Sequence, residues 1–191
     1  MPPPGLLACW RWAAEDGTMG PALKREDPMA KVLVAYGTKM GGTAGIAERV
    51  AEALRSRGYE VTLAPAGEVP RKAQFDAAAV GSGLYMGRWR AEAVRLLRRL
   101  ARSGRKMPVW LFHSGPVGDE AAEEPQPLPK KVQPLAERLE AHDVVTFGGR
   151  LAEDAQGFIA KAMARNGKAG DWRDLDQVAA WGSAIADELA G

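Results

Sequence analysis

Residues 31–58 read KVLVAYGTKMGGTAGIAERVAEALRSRG, and the pattern changes twice along this stretch. Residues 31–36 are mostly apolar and partly β-branched, which is typical of a central strand in a parallel sheet. Residues 37–43 contain three glycines and two threonines. Between Ile46 and Leu54, apolar residues recur at helical spacing, with charged residues on the other side. The stretch therefore predicts a buried strand, a loop of small residues and an amphipathic helix.

This first loop (residues 37–43) indicates an anion site. It brings backbone N–H groups and threonine hydroxyls to the start of a helix, where the helix dipole favours a phosphate. An ordinary tight strand–helix connection is the alternative. The spacing from Gly37 to Gly42 matches a Walker loop, but Thr43 stands where that loop needs a lysine. The glycines do not form G-x-G-x-x-G either, so a hydroxyl-rich loop around a single terminal phosphate fits best.

Two further glycine-rich loops follow predicted strands. Strand 75–80 is followed by a second loop, GSGLYMGRW at 81–89, and strand 108–112 by a third loop, HSGPVG at 113–118. In a doubly wound sheet, ligands bind outside the carboxyl ends of the strands. We therefore expect the three loops to converge on one edge of the sheet, which is stronger evidence for a site than any one loop.

The motif YGTKMGGT at 36–43, followed by Ile-Ala-Glu at 46–48, resembles the FMN phosphate loop of the flavodoxin superfamily. The resemblance covers roughly residues 31–190 and is nearest to the branch of menaquinone-dependent protoporphyrinogen oxidases. It implies an α/β fold with a doubly wound, five-stranded parallel sheet in the order 2-1-3-4-5 and helices on both faces. The implied FMN-binding domain spans residues 29–191.

The resemblance assigns a role to each loop. The first would hold the FMN phosphate, and the second would place Tyr85, or else Trp89, against the isoalloxazine face. For both side chains, packing under the following helix is the alternative. The third loop would cover the pyrimidine side of the ring, with Ser114 and Gly115 as the main contributors. The cofactor-binding residues that follow are Thr38, Lys39, Met40, Gly41, Gly42, Thr43, Ser82, Gly83, Leu84, Tyr85, Met86, Gly87, His113, Ser114 and Gly115.

The implied function is that of an FMN-dependent oxidoreductase, in which the protein positions the ring and sets its potential. The family branch implies the oxidation of an organic substrate such as protoporphyrinogen, with a quinone as acceptor. Residues 87–89 and 113–116 are only loosely similar to that branch, and residues 158–171 are shorter and richer in alanine and glycine than their counterpart. A non-enzymatic electron carrier with a redox partner, and a domain that has lost the cofactor, are the alternatives.

The two histidines do not indicate a separate catalytic centre. His113 follows a strand beside the proposed flavin, where it could donate to the reduced ring, assist a proton transfer or simply be hydrogen-bonded in a loop. His142 precedes a strand and is interpreted as a surface residue. Since Cys9 is remote from both in sequence, no zinc spacing exists. We predict no metal site and assign no catalytic residue.

Length and composition bound the class of protein. The chain has 191 residues, which suits one domain, and its single cysteine excludes an intrachain disulfide. No run approaches the roughly 18 apolar residues of a transmembrane helix. We expect a cytoplasmic protein, with peripheral attachment to a membrane as the alternative. Residues 1–28 are interpreted as a disordered or loosely attached extension, and Met29 as an alternative start.

The basic residues are unevenly distributed, although the net charge is only +2. Eight of them crowd one predicted helix and its ends: Arg88, Arg90, Arg95, Arg98, Arg99, Arg102, Arg105 and Lys106. A solvated helix face is the simplest interpretation, and docking to an acidic partner or an anionic membrane surface is the alternative. Nucleic-acid binding is disfavoured because this stretch lacks the interleaved aromatic residues of a stacking platform and no DNA- or RNA-binding motif appears.

The remaining pattern alternates as an α/β domain should. Asp174 is a plausible N-cap for the last helix. The further predicted strands are 59–64 and 143–148, and the further predicted helices are 89–103, 130–141, 155–165 and 175–190.

Overall fold

The computed structural model describes residues 30–115, 125–151 and 169–191. The predicted extension 1–28, the predicted helix 155–165 and residues 116–118 of the third loop lie outside these ranges. In chain order the described elements are β1 (Lys31–Gly37), α1 (Gly42–Ser56), β2 (Glu60–Pro65), β3 (Ala77–Gly83), α2 (Ala91–Arg102), β4 (Val109–Ser114), α3 (Gln133–Arg138), β5 (Asp143–Phe147), β6 (Arg150–Leu151), β7 (Gly170–Asp171) and α4 (Leu175–Ala190).

Five strands form one parallel sheet in the order β2-β1-β3-β4-β5. This is the predicted order, so the doubly wound α/β prediction is confirmed. The chain reverses its winding direction between β1 and β3. The carboxyl ends of these two strands and of β4 therefore flank the switch point, where ligands bind in open α/β sheets.

The alternation of side chains along each strand builds a separate core on each face of the sheet. Leu33 and Ala35 of β1 pack with α2 and α3 on one face. Val32 and Val34 pack with α1 and α4 on the other. Because both faces are covered, all seven residues of β3 are buried. This explains why the central strands read as continuous runs of apolar and small residues.

Two strands run further than the sequence pattern predicts. The predicted strand 75–80 lies instead at Ala77–Gly83, and β4 continues to Ser114. Ser82 and Gly83 are therefore strand residues opposite His113 and Ser114, not loop residues. The extension arises from backbone pairing with neighbouring strands, which the composition of the segment alone does not reveal.

The helix ends show how local chemistry sets their limits. The predicted helix 130–141 is reduced to α3, because Pro134 occupies its first turn and Glu140 adopts a left-handed φ of +49°. Gly104 follows α2 with a φ of +67°, as expected of a C-terminal cap. The carboxylate of Asp174 accepts hydrogen bonds from the N–H groups of Asp176 and Gln177, which confirms the predicted N-cap of α4. None of the helices described is long and apolar enough to cross a membrane.

Candidate functional site

Residues from the three predicted loops meet at the carboxyl edge of the sheet, and hydrogen bonds join them directly. The backbone N–H of Lys39 donates to the Tyr85 hydroxyl at 3.0 Å, which joins the first loop to the second. Leu84 N–H donates to the carbonyl of Ser114 at 2.9 Å, which joins the second to the third. The hydroxyls of Thr43 and Ser114 are 2.7 Å apart, which joins the third back to the first. The predicted convergence is therefore present in the fold.

The first loop turns sharply into α1. Gly41 is the N-cap residue and has a φ of +80°, a conformation that L-residues with a side chain rarely adopt. The hydroxyl of Thr38 accepts a hydrogen bond from the N–H of Gly41 at 3.0 Å, which closes the turn. The N–H groups of Gly42 and Thr43 stand at the positions that a helix leaves without intrahelical acceptors. The loop therefore presents amides and hydroxyls at the positive end of the helix dipole.

Thr43 is a buried hydroxyl residue of this loop. Its side chain is 1% exposed, and Ser114 beside it is 7% exposed. Each hydroxyl can donate one hydrogen bond and accept others, so the pair keeps a free donor or acceptor for a third group. The pair thus fixes the position of both loops without exhausting their hydrogen-bonding capacity.

The second loop contains a tight turn at residues 85–88. Tyr85 and Arg88 exchange two backbone hydrogen bonds, of 2.9 and 3.0 Å. Met86 and Gly87 between them have φ values of +51° and +68°, as in a type I′ turn. Met86 is consequently held outward with 87% of its surface exposed.

The Tyr85 ring lies against the start of α1. A Cβ atom placed on Gly83 would lie 2.8 Å from Cε2 of Tyr85 and 3.1 Å from Oγ1 of Thr43. Any larger residue at position 83 would therefore displace the tyrosine from the first loop. Gly115 likewise needs its φ of +110°, a region that favours glycine, as the chain leaves β4.

A family model described as a flavodoxin domain matches residues 33–171, which is most of the chain. The chain belongs to the flavodoxin family. Its structure resembles a flavodoxin from the domain Archaea, at 15% identity and a TM-score of 0.60 over 84% of this chain and 99% of that one. The Streptococcus pneumoniae TIGR4 flavodoxin gives 16% identity and a TM-score of 0.59 over 83% and 99%.

A similar fold forms part of a larger protein. The rubredoxin oxygen:oxidoreductase of Desulfovibrio gigas matches at 15% identity and a TM-score of 0.58, over 85% of this chain but only 37% of that one. At these identities the similarity shows the fold alone. A search of the curated proteins found no match to the sequence.

Trp89 is not available to stack on a ligand of this flavodoxin domain. It is 6% exposed and packs in the core beneath α2, so the packing alternative is the correct one. Its indole N–H donates to Nδ1 of His113 at 3.3 Å. Of Tyr85 and Trp89, the two residues predicted as alternatives for stacking, only Tyr85 is left for that role.

His113 is fully buried, and protein groups engage both of its ring nitrogens. Nδ1 accepts from Trp89, which leaves the proton on Nε2, 2.8 Å from the hydroxyl of Thr146. Burial lowers the pKa of His113 from 6.5 to about 4, against a smaller opposing effect of a hydrogen bond with the backbone of Gln126. The imidazole is thus neutral at pH 7. The hydrogen-bonded interpretation is correct, and a role of this side chain as proton donor to a flavin is not supported.

The hydroxyl of Ser82 is also engaged by protein groups. Its hydroxyl accepts a hydrogen bond from the N–H of Arg90 at 2.9 Å and donates to the carbonyl of Gly83 at 3.1 Å. The serine is fully buried and anchors the chain just before α2. Among the other predicted residues, Lys39, Gly41, Met86 and Gly87 are exposed, and Met40 and Leu84 are half-buried.

The antiparallel strands β6 and β7 also lie next to the first loop. Sequence reasoning missed this contact. Arg173 donates to the carbonyl of Gly42 at 3.2 Å and forms an ion pair with Asp171. The hydrogen bond to Arg173 holds the pKa of Asp171 below its ordinary value, against the effect of partial burial. Arg150 packs its backbone over Gly42 and lies 3.9 Å from the same carboxylate. The contact between Arg173 and Gly42 spans 131 residues, so no local pattern could have indicated it.

Proposed function

We propose that this flavodoxin domain binds FMN at the carboxyl edge of its sheet and transfers electrons through the flavin. The observation that carries the proposal is the first loop, where the amides of Gly42 and Thr43 and two threonine hydroxyls surround the positive end of α1. This donor set matches a phosphate. A bound flavin would supply the redox chemistry, and the protein would hold and orient it.

The other two loops would hold the ring. Tyr85 is the aromatic side chain of the second loop that faces the first loop, and its ring would stack on the isoalloxazine. Gly83 and Gly115 keep the backbone close to this edge, as the absence of a Cβ allows. Ser114 would support the pyrimidine side through its backbone and its bond to Thr43.

An electron carrier is the form of this function that the site favours. A substrate oxidase needs groups that accept protons from the substrate. His113 directly precedes the residues proposed to cover the ring. It is neutral and buried, and both of its ring nitrogens are engaged, by Trp89 and Thr146. Electron transfer without substrate oxidation does not require His113 to accept a proton.

An enzyme that oxidises an organic substrate such as protoporphyrinogen, with a quinone as acceptor, is the second candidate. It is favoured by the likeness of residues 36–43 to the oxidase branch. We place either form in the cytoplasm. The candidates differ in one assay, the reduction of menadione by protoporphyrinogen in the presence of the FMN-loaded protein. The carrier gives no turnover above the rate without protein, whereas the oxidase gives turnover that requires the bound flavin.

Thr43→Val tests the phosphate site. The substitution keeps the shape of the side chain but removes the hydroxyl that would donate to the phosphate. We expect the dissociation constant for FMN, measured by fluorescence titration, to rise about 10- to 100-fold, which corresponds to roughly 1–3 kcal/mol. The affinity for riboflavin, which has no phosphate, should change much less.

Ser114→Ala is the matched control for this substitution. It removes the same 2.7 Å hydrogen bond but leaves the Thr43 hydroxyl in place. It should therefore lower stability much as Thr43→Val does while preserving most of the preference for FMN over riboflavin. If Thr43→Val leaves the ratio of the FMN and riboflavin affinities unchanged, the phosphate binds elsewhere.

A further inference from the structure

The outer face of α2 carries a row of arginines. Arg95, Arg98 and Arg102 are exposed, and Arg99 is half-buried with its guanidinium on the carbonyl of Val69. These four residues, here called the arginine ridge, are spaced three and four residues apart, so neighbouring charges repel one another along the helix. In the described parts of the chain, the only ion pair of this helix joins Arg90 to Glu92. The ridge is therefore not a surface of balanced ion pairs.

A cleft lies on each side of the ridge. One has a volume of about 680 Å³ and lies between α2 and residues 66–71. The other has a volume of about 660 Å³ and lies between α2, residues 86–89 and residues 129–132. Among the residues that the structure describes, Glu92 is the one carboxylate that lines these clefts. The cations that line them are Arg71, Arg88, Arg95, Arg98, Arg99, Arg102, Lys130 and Lys131.

The second cleft reaches the proposed flavin site. Met86, Gly87 and Arg88 line it together with Arg95 and Arg98 of the ridge. These three residues belong to the second loop, whose Tyr85 contacts the first loop. The cations that line this cleft thus connect α2 with the second loop, at the edge where a flavin ring would lie.

We propose that the arginine ridge and its two clefts dock an acidic electron-transfer protein, which receives or delivers electrons at the flavin beside Met86. The proposal rests on the proposed function, since it assigns the partner of the same site. Opposite charges raise the rate of encounter and orient the partner so that its redox centre faces the flavin.

The composition of the surface argues for a protein rather than a membrane. A helix that lies on a bilayer inserts a continuous apolar face, whereas the outward face of α2 is formed by arginines. Among the described residues, the exposed large hydrophobic side chains are Met86, Val144 and Leu175, and only Met86 lies at these clefts. A single exposed methionine within a cationic rim suits a transient protein contact.

Cytochrome c provides a matched pair of probes. The native protein is basic, and succinylation converts its lysines into carboxylates without replacing the haem. The flavin domain, loaded with FMN and reduced with dithionite, gives one electron to each ferric haem, which becomes ferrous. At about 10 mM ionic strength we expect reduction of the acidic form to be at least tenfold faster than that of the native form, and the difference to vanish in 0.5 M NaCl.

Charge-neutralised variants locate the effect. Arg95→Gln/Arg98→Gln/Arg102→Gln should slow reduction of the succinylated probe about tenfold or more at low salt. The control Arg105→Gln/Lys106→Gln/Arg138→Gln removes three exposed cations beyond the end of α2, where a separate cleft lies between residues 100–108 and 138–142. This control variant should reduce the succinylated probe at a rate within about twofold of that of the parent protein, because these charges lie away from the flavin edge.

Binding of the succinylated probe, measured by calorimetry without flavin, separates the two proposals. Failure to retain FMN with ridge-dependent binding intact would contradict the proposed function but support the docking surface. Retained FMN with equal rates for both cytochromes, or equal slowing by both triple variants, would overturn the docking proposal. Ridge-dependent binding to phosphatidylglycerol vesicles without preference for the acidic probe would also overturn it.

Discussion

Gly81→Ala is expected to lower the free energy of unfolding by about 3 kcal/mol, which would reduce the melting temperature by roughly 6–12 °C. Gly81 lies in β3 directly opposite Phe112 of β4. A Cβ atom at position 81 would lie 2.2–2.5 Å from three atoms of the Phe112 ring. That ring is fully buried and packs against Phe147 and Trp181, with centroids 6.3 and 5.7 Å away. It cannot turn aside without disturbing the core beneath α4.

Urea denaturation of Gly81→Ala and Gly67→Ala measures this effect against a control. A Cβ atom on Gly67 would meet only Cβ of Glu92, at an ordinary 3.7 Å. That variant should therefore stay within about 0.5 kcal/mol of the parent or gain slightly from the lower entropy of the unfolded chain. Adding Phe112→Leu to Gly81→Ala should recover part of the lost stability, because the ring is removed. A Gly81→Ala protein as stable as the parent would contradict the described packing of β3 on β4.

Acidification from pH 7 to pH 5 is expected to cost the folded protein about 2 kcal/mol through His113 alone. Burial lowers the pKa of this histidine from 6.5 to about 4 in the folded state. At a pH between these two pKa values, the histidine of the unfolded chain binds a proton and that of the folded chain does not. The stability contributed by His113 is therefore complete above pH 6.5 and is lost progressively as the pH falls towards 4.

The pH dependence of unfolding in urea checks this prediction, with both histidines replaced in turn. His113→Gln should be less stable at pH 7, because Gln cannot reproduce both hydrogen bonds to Trp89 and Thr146. Its loss of stability between pH 7 and pH 5 should nevertheless be smaller than that of the parent by about 2 kcal/mol. His142→Gln should keep the acid sensitivity due to His113. An unchanged pH profile in His113→Gln would contradict the described burial of the imidazole.

The features predicted correctly from the sequence are those with local causes. The strand, loop and helix in residues 31–58 follow from apolar spacing and small residues. The cap at Asp174 follows from side-chain chemistry within three residues. The meeting of the three loops follows from the topology rule that parallel strands end at one edge. This rule converts three local patterns into one site without knowledge of any long-range contact.

The features that were missed depend on partners distant in the chain. The pairing of β3 with β4 carries both strands past their predicted ends. The same proximity buries Trp89 and His113 against each other across 24 residues, and Arg173 reaches Gly42 across 131. A segment rich in glycine and aromatic residues has the same composition whether its side chains face a ligand or the core. The sequence therefore predicts the edge of the sheet at which the site lies. Only the structure shows whether each side chain points towards that edge or into the core.

FMN binding by the three loops can be measured directly. The direct measurement is the visible absorption spectrum of the purified protein after incubation with FMN and removal of the excess by gel filtration. We expect retained flavin absorption corresponding to about one FMN per chain. A protein that elutes without flavin absorption, while its circular dichroism shows an intact α/β fold, would contradict it.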